Sequence, residues 1–221
     1  MKREIFITKD GSTSFQLPEL NEQYHSKNGA IQEAYHVFIK HGLDLFKNQS
    51  KVAILEIGFG TGLNCFISYL EGEKRTLNIN YVGIEAYPIT NEEFLQLNFV
   101  KELHVENQQL IFSKIHHSNW ENIHHIAANF SLLKRKQFFQ NINDIDKFNL
   151  IYFDAFGARV QPELWTEDIF KIMYKALKKK GILVTYSAKG SVRRAMQAVG
   201  FTVERLPGPI GKREMLRATK Y

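Results

Sequence analysis

The stretch of residues 52–64 constrains the fold of this chain more than any other. It begins as an uninterrupted apolar run, which is typical of a strand buried on both faces of a sheet. Three glycines at alternate positions follow: Gly58, Gly60 and Gly62. Residues 63–70 then have a helix-like pattern. Glycine adopts positive φ and lets the backbone approach a ligand, and a helix start offers free N–H groups. The stretch therefore predicts a ligand-binding turn between a strand and a helix.

The glycine spacing separates two classes of cofactor. A dinucleotide fingerprint, Gly-x-Gly-x-x-Gly, would need a glycine at position 63, where the chain has Leu63. The pattern is instead Glu-x-Gly-x-Gly-x-Gly, which resembles the first motif of S-adenosylmethionine-dependent methyltransferases. The resemblance implies a cofactor site made of Glu56, Gly58, Phe59, Gly60, Thr61, Gly62 and Asn64. The alternative is a glycine-rich turn that binds no ligand.

Length and composition restrict the class of protein. A chain of 221 residues, 44% hydrophobic and 24% charged, suits one soluble domain with at most a small appendage. No apolar run reaches the roughly 20 residues of a membrane span, and no signal-like apolar segment follows the N-terminus. The single cysteine, Cys65, excludes an internal disulfide and fits a reducing compartment. We expect a cytoplasmic protein with no membrane contact.

The charge balance allows a nucleic-acid partner but does not require one. The net charge is +6, which is compatible with a polyanion and also common in proteins that bind none. Four basic residues near the C-terminus are candidates for RNA phosphate contacts: Arg193, Arg194, Lys212 and Arg213. The alternative for them is a solvated helix face and a salt-bridged loop.

We divide the chain into an N-terminal extension, residues 1–50, and a methyltransferase-like domain, residues 51–221. In the extension, Asp10-Gly11 predicts a two-residue hairpin turn between short strands. A helix is expected over residues 31–46, with an apolar side formed by Ala34, Val37, Phe38 and Leu45.

The domain alternates predicted strands and helices, which indicates an α/β fold with a Rossmann-like, mostly parallel sheet. After the first strand, further strands are expected at residues 81–85, 130–133, 148–154 and 182–186. Helix-like segments follow at 88–97, at 167–180 with Thr166 as its N-cap, and up to Gly200. The last two strands, 201–206 and 214–218, should be antiparallel because their connection is too short for a crossover. Residues 99–129 give no clear assignment.

Two acids end predicted strands, at the sheet edge where ligands of open α/β folds bind. Glu85 can accept hydrogen bonds from both ribose hydroxyls of an adenosine cofactor, or can cap a loop. Asp154 can accept an N–H from a substrate amine and direct its lone pair towards a methyl donor, with Phe156 stacking on a base. The alternative is that Asp154 only holds its loop or caps the next helix.

Two other groups bear on the chemistry. Methylation of a pyrimidine ring carbon usually needs a cysteine nucleophile, and we expect Cys65 to be packed in the core, so carbon methylation is disfavoured. His116, His117, His124, His125 and Glu121 form a cluster for which a metal is conceivable. Methyl transfer needs no metal, and we expect a solvated or partly packed polar segment there.

Four segments extend the resemblance to one enzyme family. They are Tyr24-His25-Ser26 with Glu33, the glycine motif, Phe153-Asp154-Ala155-Phe156 with Pro162-Glu163-Leu164-Trp165, and Ser191-Val192-Arg193-Arg194 with Gly211-Lys212-Arg213-Glu214. In these segments the chain is similar to the methyltransferase part of the bifunctional enzyme that completes 5-methylaminomethyl-2-thiouridine at the tRNA wobble position. The resemblance implies S-adenosylmethionine as cofactor, tRNA as partner, and Tyr24, Ser26 and Glu33 as substrate residues.

Two departures from that family change the expectation. The bifunctional enzyme has a C-terminal flavin-dependent oxidase, for which no residues remain here. We therefore expect a stand-alone methyltransferase without flavin, with a separate protein or pathway supplying the aminomethyl group. Relatives also place an acid after the third strand, near the adenine amine. Here residues 134–137 read Lys-Arg-Lys-Gln, so another group must take that role.

Two rival functions stay open from the sequence. One is a non-catalytic RNA-binding module that keeps the fold, against which the intact acids and glycines argue. The other is a methyltransferase for a small-molecule or protein amine, against which the basic C-terminal loop argues modestly.

Overall fold

The computed structural model describes residues 2–221 and begins with a small antiparallel sheet. Its strands are β1 (Glu4–Ile7), β2 (Thr13–Leu17) and β3 (Glu22–Gln23), in the order β1-β2-β3. The hairpin predicted at Asp10-Gly11 is confirmed, but its turn is wider than two residues. The Thr8 N–H donates to the Ser12 carbonyl, and Gly11 has a φ of +85°. Residues 9–11 thus form a turn that needs glycine at its last position.

The prediction of one continuous helix over residues 31–46 is wrong, because this segment is divided into three parts. It consists of α1 (Ala30–Ala34), a π-helix (Tyr35–Lys40) and a 3-10 helix (Leu43–Phe46). Gly42 interrupts it, with φ −117° and ψ −85°. The π-turn and this break change which side faces inward. Phe38 is buried as predicted, whereas Leu45 is 47% exposed and Leu43 and Phe46 are buried in its place.

The main sheet has eight strands. They are β4 (Lys51–Ile57), β5 (Asn78–Glu85), β6 (Ile123–Ala127), β7 (Phe130–Lys136), β8 (Phe148–Phe153), β9 (Leu177–Thr185), β10 (Thr202–Pro207) and β11 (Glu214–Thr219). Their order is β10-β11-β9-β8-β4-β5-β7-β6. The five central strands are parallel, and the last two are antiparallel as predicted. The antiparallel edge strand β6 was not predicted.

The helices of the domain are α2 (Leu63–Arg75), α3 (Asn91–Phe94), α4 (Phe99–Glu102), α5 (Gln109–His117), α6 (Glu167–Ala176) and α7 (Gly190–Ala198). Helix α2 is longer than the predicted residues 63–70, whereas the helices predicted at 88–97 and 167–180 are shorter than expected. Short 3-10 helices lie at Pro18–Leu20, Glu106–Gln108, Phe139–Asn141 and Pro162–Trp165. Thr166 caps α6 as predicted, accepting from the Ile169 N–H. The helix ends at Ala176, however, and residues 178–180 belong to β9, because buried Leu177 already pairs with Phe148.

The core consists of two apolar layers, one on each face of the main sheet. One layer joins α2 and α5 to the sheet and includes Phe66, Phe112 and the N-terminal Phe38. The other joins α6 and α7 and includes Phe153 and Phe170. Cys65 lies in the first layer with no exposed surface, as expected. No helix within residues 2–221 is long and apolar enough to cross a membrane.

Candidate active site

A cavity of about 680 Å³ opens at the carboxyl ends of the parallel strands, beneath the N-terminal sheet. Ligand pockets commonly measure about 300–1,000 Å³. The cavity lies where the strand order reverses on either side of β4, which is the usual ligand position in open α/β sheets. The sequence-predicted residues Gly58, Glu85 and Asp154 all line it.

The glycine turn joins β4 to α2 at one wall of this cavity. Gly58, Gly60 and Gly62 have φ of +86°, +49° and +70°, which only glycine adopts readily. A Cβ atom on Gly58 would lie 2.6 Å from the Asp154 carbonyl oxygen. The Gly58 and Phe59 N–H groups both donate to the Ile84 carbonyl, at 3.1 and 2.9 Å. The backbone is thus fixed against β5. Gly58 and Gly60 line the cavity, whereas a Cβ atom on Gly62 would face His116 and Phe59.

Glu56 lies beneath the turn and does not line the cavity. It is 1% exposed and accepts hydrogen bonds from Asn64 Nδ2 at 3.0 Å and the Tyr81 hydroxyl at 2.9 Å. Burial raises the pKa of Glu56 well above its usual range, and the neighbouring Asp154 adds to this. Glu56 therefore holds Asn64 in place, and Asn64 in turn donates to Asp154 Oδ2 at 2.9 Å.

His116 and Lys134 support the turn from the other side, and sequence reasoning missed both roles. His116 Nε2 donates to the Thr61 carbonyl at 2.9 Å. Lys134 Nζ donates to the His116 carbonyl at 2.6 Å and lies 5.0 Å from the centre of the Trp120 ring. Burial lowers the pKa of His116 to about 3 and that of Lys134 to about 8. The alternation of buried Phe130, Leu132 and Lys134 along β7 was the available signal.

The remaining histidines of the predicted cluster do not converge on a metal. His117 contacts Asn91, His124 donates to the Asn119 carbonyl, and His125 is exposed. Throughout the described part of the chain, no three His, Cys, Asp or Glu side chains are placed to hold an ion.

Glu85 lies at the lip of the cavity beside the glycine turn. Its Oε2 accepts the Gly60 N–H at 3.0 Å and its Oε1 accepts the Tyr87 N–H at 2.9 Å. An apolar wall stands next to it, formed by Ala86, Tyr87, Phe138 and Phe139, with Gln140 at its edge. A glycine backbone, a carboxylate and an aromatic wall that line one cavity fit S-adenosylmethionine. Residues 134–137 lack the acid that the resembled family places near the adenine amine. Gln140 offers a side-chain amide on that side of the cavity.

Asp154 lies at the base of the cavity, directly after β8. Burial raises the pKa of its carboxyl group to about 7, and the charge of Glu33 contributes to the same shift. The hydrogen bond from Asn64 and the charge of Lys212 act in the opposite direction. Asp154 is therefore a carboxyl group that changes its protonation state near neutral pH.

The N-terminal extension supplies the wall opposite Asp154. Tyr24 and Phe156 meet edge to face with their ring centres 5.2 Å apart. The Tyr24 hydroxyl accepts from Arg3 Nε at 2.7 Å, and Arg3 also pairs with Glu93 at 3.0 Å. The Ser26 N–H donates to the Glu33 carboxylate at 3.0 Å. All of the predicted substrate residues on this side, Tyr24, Ser26, Glu33 and Phe156, line the cavity.

The four predicted RNA contacts separate into two groups. Lys212 lines the cavity, where it forms an ion pair with Glu33. Arg194 and Arg213 are exposed and do not line the cavity. Arg193 is half-buried on α7, and its Nε has no hydrogen-bond partner among residues 2–221.

This combination of fold and site defines a Rossmann-like methyltransferase. A protein-family model described as S-adenosyl-L-methionine-dependent methyltransferase matches residues 101–221. The chain belongs to this family.

Individual proteins with similar sequences give a more specific comparison than the family model does. The chain is 28% identical to the tRNA 5-methylaminomethyl-2-thiouridine biosynthesis bifunctional protein MnmC of Azoarcus sp. (strain BH72), over 88% of this chain and 32% of that protein. It is 29% identical to the protein of the same name from Leptospira interrogans, over 90% of this chain and 32% of that one. The chain thus spans about a third of the length of these relatives.

Solved structures agree on the fold. The crystal structure of MnmC2 from Aquifex aeolicus aligns with a TM-score of 0.82 at 24% identity, covering 100% of this chain and 70% of that one. Spermidine synthase from Thermotoga maritima aligns with a TM-score of 0.54 at 13% identity, covering 100% of this chain and 72% of that chain. At such identities these alignments show a shared fold. The predicted fold class is confirmed.

Proposed function

We propose that this chain transfers a methyl group from S-adenosylmethionine to the primary amine of 5-aminomethyl-(2-thio)uridine at the wobble position of tRNA. The observation that carries the proposal is the placement of Asp154, whose carboxyl group lines the cavity and is held there by the hydrogen bond from Asn64 at 2.9 Å. It lies between the glycine turn and the aromatic pair of Tyr24 and Phe156. The names of the relatives, which match nearly the whole chain, supply the substrate class.

We assign a separate role in the reaction to each group of residues around the cavity. The backbone of Gly58, Gly60 and Gly62 and the carboxylate of Glu85 would hold the cofactor, which supplies an electrophilic methyl group when bound. Tyr24 and Phe156 offer ring surfaces to a nucleobase. Glu56 and Asn64 fix the position of Asp154.

The substrate amine must lose a proton before it can be methylated, and Asp154 is the group proposed to accept that proton. An alkyl amine has a pKa of about 10.4, so about one molecule in a thousand is neutral at neutral pH. A protonated amine has no lone pair with which to attack. Asp154 in its ionised form accepts the proton as the amine enters, and a base whose pKa lies close to the working pH is well matched to that task. Alignment of nitrogen, methyl carbon and sulfur supplies the rest.

The test is single-turnover methylation of tRNA carrying 5-aminomethyl groups, with the modified nucleosides identified by mass spectrometry. Asp154→Asn keeps an oxygen for the Asn64 amide but cannot take a proton. We expect its rate to fall by roughly 10²–10⁴-fold, the usual contribution of a general base. Cofactor and tRNA affinities should change little. Asp168→Asn, an exposed aspartate in the first turn of α6, is the matched control and should keep the wild-type rate.

Three outcomes would contradict the proposal. An unimpaired Asp154→Asn variant would remove Asp154 from the reaction. A wild type that binds aminomethyl tRNA without methylating it would favour the RNA-binding module. Faster methylation of free amines than of tRNA would favour the small-molecule or protein substrate. A parallel arm with 5-carboxymethylaminomethyl tRNA, which we expect to stay unconverted, tests whether another protein must first release the amine.

A further inference from the structure

The loop between β10 and β11, residues 208–213, reaches over to the N-terminal extension. Asn28 Nδ2 donates to the Ile210 carbonyl at 3.4 Å, and His36 Nε2 donates to the Pro207 carbonyl at 2.8 Å. A Cβ atom on Gly211, whose φ is +85°, would lie 2.0 Å from the Asn28 amide nitrogen. The loop is therefore seated closely on the extension, and this seating directs Lys212 into the cavity.

The ammonium group of Lys212 makes two contacts there. Its Nζ forms an ion pair with the Glu33 carboxylate, whose side chain is 11% exposed. The same Nζ lies 3.9 Å from the centre of the Tyr186 ring, a close cation–π contact. A residue that serves as a phosphate contact presents its charge to solvent, as Arg213 does. Lys212 instead directs its charge towards Glu33 and Tyr186.

Glu33 and Asp154 place two carboxyl groups on the walls of one cavity. Two such groups in a partly dehydrated space oppose each other's ionisation unless a cation lies between or beside them. Lys212 is the cation that acts on both, since it pairs with Glu33 and its charge also reaches Asp154. The other titratable groups that share this electrostatic environment are Glu56 beneath Asp154, Glu22 on β3, and Tyr186, which directly follows β9.

We propose that Lys212 is a positioning residue of the reaction centre: its ammonium balances the charge of Glu33, and Asp154 thereby stays ionised and able to accept the substrate proton. This rests on the proposed function for the identity of the substrate. It reassigns Lys212 from the tRNA-binding surface to the methyl-transfer site. Lys212 touches neither methyl group nor amine in this role and acts through Asp154.

The direction of the effect follows from the signs of the charges. The charge of Glu33 raises the pKa of Asp154 and that of Lys212 lowers it. Removing Lys212 should therefore raise this pKa further above its usual range. Because only ionised Asp154 can take the proton, the acid limb of the kcat/KM profile should move to higher pH. A lost phosphate contact would instead weaken tRNA binding equally at every pH and flatten its dependence on salt.

The kinetic experiment compares Lys212→Met, Lys212→Arg and Lys179→Met in the full chain. Lys179 is exposed at the far end of the sheet, so its replacement removes the same charge outside the cavity. We expect Lys212→Met to move the acid limb up by about one pH unit and to lower kcat/KM at pH 7 about fivefold, because the ionised fraction of Asp154 falls by that factor. Lys212→Arg should restore the limb, and Lys179→Met should not move it. An unmoved limb in Lys212→Met, with a log–log salt slope flattened by about one unit, would return Lys212 to the phosphate-binding role.

A second measurement does not depend on tRNA. The carboxyl carbons of the six aspartates can be labelled with ¹³C and titrated by NMR in the protein alone, with Asp154→Asn assigning the relevant signal. Lys212→Met should raise the pKa of Asp154 by about one unit relative to the wild type. An unchanged pKa overturns the inference, whatever the substrate is. A raised pKa in a protein that methylates no aminomethyl tRNA would uphold the electrostatic role and reject the proposed function.

Discussion

At the scale of single residues, the role that we propose for Asp154 conflicts with the stability of the fold. Its folded pKa of about 7 lies well above the value of about 3.9 in an unfolded chain. Between those two values the folded protein holds the proton more tightly than the unfolded chain does. Stability contributed by this group therefore falls as pH rises from about 4 to about 7 and stays low above that range. The same raised pKa that suits Asp154 to accept a proton means that its ionised form destabilises the folded state.

Replacing this carboxylate should therefore stabilise the protein at alkaline pH. We expect Asp154→Asn to raise the free energy of unfolding at pH 8 by roughly 1–3 kcal/mol, and to change it little at pH 4, where Asp154 is protonated in the folded state. Urea titrations of both proteins at the two pH values measure the difference. A gain of equal size at pH 4 and pH 8 would show that packing, rather than charge, is responsible.

At the scale of elements, the glycine turn depends on two elements that follow it far along the chain. Helix α5 ends at His117, and the buried ammonium of Lys134 on β7 binds the carbonyl of its penultimate residue, His116. A cation there also suits the negative end of the helix dipole. Because His116 then donates to Thr61, the position of the turn is coupled to the β7–α5 contact.

Breaking this coupling should affect the cofactor more than the tRNA. Lys134→Met keeps an unbranched apolar stem beside Phe59 and Trp120 but removes the donor to His116. We expect cofactor affinity, measured by calorimetry, to fall about tenfold, the scale of one charged hydrogen bond. Lys136→Met, exposed on the same strand, should bind the cofactor as the wild type does. Equal cofactor affinity in both variants would mean that the turn holds its shape without this support.

The same elements show how far sequence reasoning reaches. The strand–turn–helix at residues 52–64 could be predicted from local apolar patterns, and strand ends indicated that Glu85 and Asp154 lie at the edge where they line the cavity. Residues 99–129 resisted assignment because β6 exists only through its pairing with β7, and α5 leaves Leu110 82% exposed. Arg3, His116 and Lys134 were missed as site residues for a related reason. Their roles depend on partners 18 to 90 residues away.

At the scale of the whole molecule, the basic residues outside the cavity stay candidates for tRNA contacts. Arg194 lies on α7 and Arg213 lies in the β10–β11 loop, and both are exposed. Lys189, which precedes α7, lines the cavity and extends positive charge towards it. A strand of RNA entering the cavity would meet this side of the protein.

If Arg194 and Arg213 bind phosphates, tRNA affinity should fall steeply with salt. Neutralising both to Gln should flatten the log–log salt dependence by up to about two units, about one for each lost contact. The matched control is Lys171→Gln with Lys179→Gln, both exposed on other surfaces, which removes the same total charge. Filter binding over a range of salt concentrations measures both slopes. Identical slopes in the two double variants would assign Arg194 and Arg213 to a solvated surface.

The seating of the β10–β11 loop on the N-terminal extension also has a consequence for biosynthesis. Glu33 and Lys212 are 179 residues apart in the chain, yet they meet in one wall of the cavity. A ribosome releases Glu33, the glycine turn and Asp154 long before Lys212 emerges. The residues proposed to bind the cofactor are therefore synthesised before the residue that completes this wall, and long-range contacts of this kind form slowly in folding. The wall that joins Glu33 to Lys212 is thus among the last parts of the cavity that the growing chain can form.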